Sequence, residues 1–124
     1  MTKFNYKLLC ITLLFASSVY AESPCRTLAK EKAYDDPSLP VKADKETPGK
    51  ILDNMHDLEI ICSAIVQKIK TKNETPHDFR ERLNLLLVKA NQQFDKDGDI
   101  DALEKMKYEI SFAYSSLDIA ENYH

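Results

Sequence analysis

The stretch ILDNMHDLEIICSAIVQKIK, residues 51–70, decides the fold. Within it Ile51, Met55, Leu58, Cys62, Ile65 and Ile69 recur at alternating steps of four and three, which places them on one stripe of an α-helix. Leu52, Ile61 and Val66 widen the stripe, while Asp53, Asp57, Glu59, Lys68 and Lys70 keep the remainder polar. A strand, whose side chains alternate with a period of two, cannot sustain this spacing. The polar turn Thr71-Lys72-Asn73-Glu74 follows, and Thr47-Pro48 precedes. A hydroxyl that accepts from a first-turn amide, next to a proline at the first helical position, makes Thr47-Pro48 a helix start. The expected helix covers residues 50–72.

The same reasoning extends downstream. Thr75-Pro76, with Asp78 three residues after the threonine, starts a second helix over 76–94. Its buried face is Phe79, Leu83, Leu86, Ala90 and Phe94, with Leu87 and Val88 alongside and Arg80, Arg82 and Lys89 facing water. Gly98 suits a left-handed turn in the break that follows. A third helix over 100–122 carries Leu103, Met106, Ile110, Ala113, Leu117 and Ala120 at three-four spacing, flanked by Tyr108 and Phe112. Asp101 and Glu104 have the spacing of a capping box at its start. Three helices of similar length, near 30 Å at about 1.5 Å per residue, with short connections, imply antiparallel neighbours. The expected fold class is all-α, an antiparallel three-helix bundle.

Upstream the pattern is weaker. Ser23-Pro24 repeats the helix-start pair, and Cys25, Leu28, Ala29 and Ala33 give a short helix one apolar face. Residues 38–46 lack periodicity and read as a connector, so 22–49 is a short helix plus connector. Before it, residues 1–7 carry Lys3 and Lys7 and no acid, and residues 8–19 are almost unbroken in apolar character. Val19-Tyr20-Ala21 then puts small residues at a cleavage site before Glu22. The apolar run is too short for a membrane span of roughly twenty residues. Residues 1–21 therefore read as a signal peptide, 22–124 as a single helical domain, and the protein as exported to the periplasm or extracellular space. No stable membrane insertion is expected after cleavage.

Of three cysteines, Cys10 lies in the leader. Cys25 follows Glu-Ser-Pro, which is not the small-residue box that lipid attachment needs. Cys25 and Cys62 remain as an even pair in an oxidising compartment, the expected disulfide. It would tether the short first helix to the middle of the strongest stripe and make a partial fourth helix. The leader holds two of the 17 basic residues, leaving 15 against 20 acids and a formal charge of −5. That balance argues against a nucleic-acid partner, which needs a concentrated basic face.

Chemistry-bearing patterns are few. Asp95, Asp97 and Asp99, with Asp101, imitate the opening of a calcium loop, but glycine stands fourth instead of sixth and Met106 occupies the twelfth place. They are weak metal candidates, and capping near a helix N-terminus is the plainer use of such acids. His56, His77 and His124 are the only imidazoles, and none is spaced as a helical metal pair. Without a nucleophile motif, phosphate loop or free thiol beside histidine, enzyme activity is not expected.

Leu52-Asp53-Asn54-Met55 and Asp78-Phe79-Arg80 resemble fragments of the small periplasmic four-helix b-type cytochromes. That resemblance implies Met55 as a haem ligand. The family's histidine position falls near Asp118, with His124 well beyond it, and a helix between the two fragments has no counterpart. No family is assigned on it, and no cofactor is expected. The reading reached is a non-catalytic exported protein that binds another macromolecule, of inhibitor or immunity, chaperone-like or accessory type. Basic residues from Lys68 to Arg82 and acids from Asp95 to Glu121 offer electrostatic complementarity to a protein partner. The alternative is a small-ligand or cofactor carrier of haem or metal using the bundle interior, with Met55 and Met106 in its lining.

Overall fold

The computed structural model describes residues 23–122. The leader, Cys10, Glu22 and His124 lie outside them. The described chain is all-α: α1 (Pro24–Lys32) continues into a 3₁₀ turn (Ala33–Asp35), and α2 (Thr47–Lys70), α3 (Pro76–Asp97) and α4 (Ile100–Asn122) follow. The three long helices contain 24, 22 and 23 residues, so their similar length is as expected.

Their boundaries follow from capping. Ser23 Oγ accepts from the Arg26 amide at 3.1 Å, and Thr75 Oγ1 accepts from the Asp78 amide at 3.1 Å. At α2 Thr47 is the first helical residue, Glu46 stands at the N-cap without a side-chain bond, and the capping oxygen comes from Asp44. Asp44 Oδ1 accepts from the Glu46 and Thr47 amides at 2.9 and 3.0 Å, and Thr47 Oγ1 accepts from the Asp44 amide at 2.9 Å. This reciprocal box opens the first turn earlier than the sequence suggests, so α2 begins at Thr47. Helix α3 runs three residues past the expected Phe94 and stops where Gly98 takes a φ of 66°. A side chain is strained there, which is why glycine occupies the position. Asp99 then caps α4 by accepting from the Ala102 amide at 3.1 Å, in place of the expected Asp101–Glu104 box.

Helix α4 is the hub, packing against α2, α3 and α1. It runs parallel to α2, with Asn54 level with Tyr108, and antiparallel to α3, where Arg80 meets Glu121 and Asn84 meets Tyr114. Two apolar clusters stack along the bundle. One joins Cys25, Ala29 and Ala33 of the first segment to Leu58, Cys62 and Phe112. The other joins Ile65 to Phe79, Leu83, Ile110, Ala113 and Leu117. The sulfurs of Cys25 and Cys62 stand 2.14 Å apart with their Cα atoms at 5.5 Å, so the expected disulfide crosses the first cluster.

Periodicity overstates the core in one region. Phe79 and Leu83 are the buried residues of α3, while Leu86, Val88 and Met106 are exposed, and Ala90 and Phe94 are half-buried. The reason is positional. The buried residues of the second cluster end at Leu83 and Ile110, with Leu87 packed on its edge, and α1 fills the first cluster against α2 and α4.

Candidate functional site

The most developed surface feature is a groove along the first half of α2. One end, about 370 Å³, is lined by Tyr34, Ala43, Pro48, Ile51, Leu52 and Met55. The other end, about 540 Å³, shares Leu52 and Met55 and continues to Arg26, Asp53, His56, Asp57 and Glu59. The two depressions adjoin at Leu52 and Met55, which line both. Tyr34 and Leu52 expose 64% and 63% of their surface, unusually much for a tyrosine and a leucine that sit side by side.

Three devices hold the walls. The disulfide fixes the start of α1, and Arg26 on the next residue projects into the groove's charged end. At the other end of α1, Tyr108 donates its hydroxyl proton to the Lys32 carbonyl at 2.5 Å and accepts from Asn54 Nδ2 at 3.0 Å. Asn54 Nδ2 also reaches the Ala33 carbonyl at 3.3 Å. These bonds satisfy the last carbonyls of the first segment, which a short helix otherwise leaves open. Beside them Asp36 is buried, with Lys105 Nζ on its Oδ2 at 2.9 Å and the Ser38 amide and hydroxyl on Oδ1 at 2.9 and 2.8 Å. Burial works to raise Asp36, but the Ser38 amide and the Lys105 ammonium outweigh it and hold the carboxyl below its usual range. Lys105 Nζ also lies 5.3 Å from the centre of the Tyr108 ring. The third device is the Asp44–Thr47 box, which fixes the chain as it enters α2.

Three acids line the charged end. The ion pairs of the described surface lie elsewhere, joining Glu74 to Arg82 at 2.7 Å and Lys68 at 3.5 Å, Glu121 to Arg80, and Asp36 to Lys105. Asp53, Asp57 and Glu59 have no ion-pair partner among the described residues. The basic run from Lys68 to Arg82 is correspondingly less cationic than it reads, because Glu74 and Glu121 neutralise part of it.

The sequence candidates fall in different places. Met55 lines the groove, whereas Met106 lines a separate crevice between α3 and α4 with Phe94 and Leu103, so the two methionines share no pocket. Asp95, Asp97 and Asp99 do not converge. Asp95 is an exposed residue within α3, and Asp97 spends its oxygens on the Asp99 amide and on Gln93 Nε2, both at 2.9 Å. Those two bonds, the amide's first, hold the Asp97 carboxyl below its usual range. Asp99 Oδ1 is the α4 cap. Among the described residues no three His, Cys, Asp or Glu side chains are grouped to hold a metal ion.

Sequence reasoning missed Asp36, Asn54, Lys105 and Tyr108 as a set. One signal was present: Asp36-Pro37-Ser38 has the composition of an Asx turn, in which an aspartate accepts from the amide two residues on. Comparison with protein-family models, with curated proteins and with solved structures finds no match to this chain.

Proposed function

We propose that this chain is exported, with residues 1–21 as a cleaved leader, and that it acts without catalysis by binding another protein through the groove along α2. The observation that carries this reading is a pair of adjoining depressions: exposed Tyr34 and Leu52 with half-buried Met55 and Ile51 line one, and Leu52 and Met55 line the other beside Asp53, Asp57 and Glu59. An apolar centre with a charged margin is the composition of a transient protein interface. Export is supported by the leader pattern and by the cysteine pair at disulfide distance. Among the described residues no helix is long and apolar enough to cross a membrane.

The test is affinity capture from periplasmic or extracellular extract with the disulfide-bonded chain beginning at Glu22. A protein retained by the wild type should be lost with Leu52→Glu and kept with Lys68→Ala, which changes the surface away from the groove. Equal retention by all three chains would overturn the assignment. N-terminal sequencing of the native protein should begin at Glu22, and an intact Met1 on the folded protein would overturn export.

A further inference from the structure

We infer that the occupant of the groove is a cationic amphipathic segment of a partner protein, one whose apolar side chains are followed by lysine or arginine. This rests on the groove being the binding surface. The order of chemistry along α2 sets the requirement. Leu52 and Met55 give the depression an apolar wall, and Asp53, Asp57 and Glu59 line the same depression within about two turns. From Pro48 to Glu59 the axis rises about 16 Å, the length of roughly three helical turns or five extended residues. A segment of that size covers Leu52, Met55 and the three carboxylates together.

Charge decides the sign. Three carboxylates at one end stand against a single guanidinium, Arg26, and none of the three has an ion-pair partner among the described residues. A lysine or arginine placed there gains partners without breaking an existing pair, and the apolar contact beside it lowers the local dielectric in which those charges meet. An acidic segment would meet three like charges. A nucleic acid or an anionic lipid surface would meet the same repulsion, so neither fits this groove. The formal charge of −5 over residues 22–124 acts in the same direction at longer range, drawing cationic partners in and slowing acidic ones.

The experiment uses the disulfide-bonded chain and three synthetic peptides of about a dozen residues, the length that spans the groove as a helix. One carries leucines followed by lysines, the second replaces lysine by glutamate, and the third is a scramble of the first. Binding is read by fluorescence anisotropy at low and high salt. The expected result is binding of the lysine peptide alone, weakened by salt, abolished by Leu52→Glu, and weakened roughly tenfold by Asp53→Asn, Asp57→Asn and Glu59→Gln together. Leu52, Asp53 and Asp57 are exposed and Glu59 is half-buried, and thermal melts of the variants should match the wild type. Equal binding of the lysine and glutamate peptides, binding of neither, or no effect of the triple neutralisation would overturn the cationic class. Where a peptide binds, loss with Leu52→Glu would still leave the groove standing; where neither binds, capture of a native partner that depends on Leu52 would do so. Lysine-peptide binding indifferent to Leu52→Glu would overturn the groove itself.

Discussion

Replacing both Cys25 and Cys62 by alanine tests the tether of α1 to the bundle without leaving a lone thiol in the core. The two residues are 37 apart in sequence. On the chain-entropy account, closing a loop of that length restricts the unfolded chain by about 4 kcal/mol at room temperature. Against a total stability of order 5–15 kcal/mol for a small domain, that is a large share. The loss should also be uneven. Helix α1 has nine residues, below the length of about 12–15 at which an isolated helix becomes marginally stable, so it is helical because it is docked. Without the bond it is held by Ala29, Ala33 and Leu28 in the first cluster and by the polar contacts at its C-terminal end. Urea unfolding should show the midpoint falling by the equivalent of about 3–4 kcal/mol, with far-UV helicity nearly unchanged. Native-state hydrogen exchange should show α1 amides losing more protection than those of α2 and α4. A stability within about 0.5 kcal/mol of wild type, or an equal loss of protection in every helix, would refute the tethering argument.

Three further outcomes follow from particular contacts. Ile65 lies in the second cluster with 8% of its surface exposed, so Ile65→Ala should cost about 2–5 kcal/mol in chemical denaturation while Lys68→Ala, at the surface, should cost less than about 0.5. Tyr108→Phe removes the hydroxyl shared by Lys32 and Asn54 and should cost about 1–3 kcal/mol, whereas Tyr114→Phe, whose hydroxyl meets exposed Asn84, should cost far less; equal costs would mean that the Tyr108 contacts do not hold α1. Asp36 has its carboxyl depressed in the folded protein, so its contribution is complete above the ordinary carboxylate pKa and disappears as pH falls through the lower folded value. Thermal melts of wild type and Asp36→Asn should therefore differ at neutral pH and converge in acid, and a gap that persists at low pH would exclude the charge as its source.

The helices were legible because their signal is local. Three-four spacing in Leu58-Cys62-Ile65 or Ile110-Ala113-Leu117 names a face whatever packs on it, and the cysteine count leaves a single pairing between Cys25 and Cys62. What was not legible depends on what stands opposite. Leu86 and Met106 continue their stripes as regularly as Leu83 and Leu103 do, yet both are exposed, Met106 along the crevice between α3 and α4. Ile51 and Met55 pack at the edge of the first cluster as their spacing implies, and only the path of residues 34–48 shows that they and Leu52 also line a depression. The Asp36–Lys105 and Tyr108–Lys32 contacts join positions 69 and 76 apart, a separation at which no sequence window carries information.

The least helix-prone part of the chain, residues 23–46, is also the part on which the groove depends. Helix α1 contributes Arg26, the turn after it contributes Tyr34, and the connector contributes Ala43 and Asp44. A weakly apolar segment of this kind would ordinarily fluctuate, and a binding site built on it would have to be ordered each time a partner arrived, at a cost to affinity. Here the ordering is already done by elements remote from the groove floor: a disulfide at Cys25, carbonyls of Lys32 and Ala33 engaged by Tyr108 and Asn54, and a buried Asp36 held by Lys105. Each of these anchors reaches from the weak segment to α2 or α4, whose own stripes are strong enough to hold it. A buried carboxylate and a tyrosine hydroxyl shared between two helices are costly ways to gain stability, since apolar packing would serve as well. They are effective ways to fix one position of a segment, because each bond is satisfied in a single geometry. That choice of polar anchors over extra apolar residues is what the proposed binding groove would require of the chain that walls it.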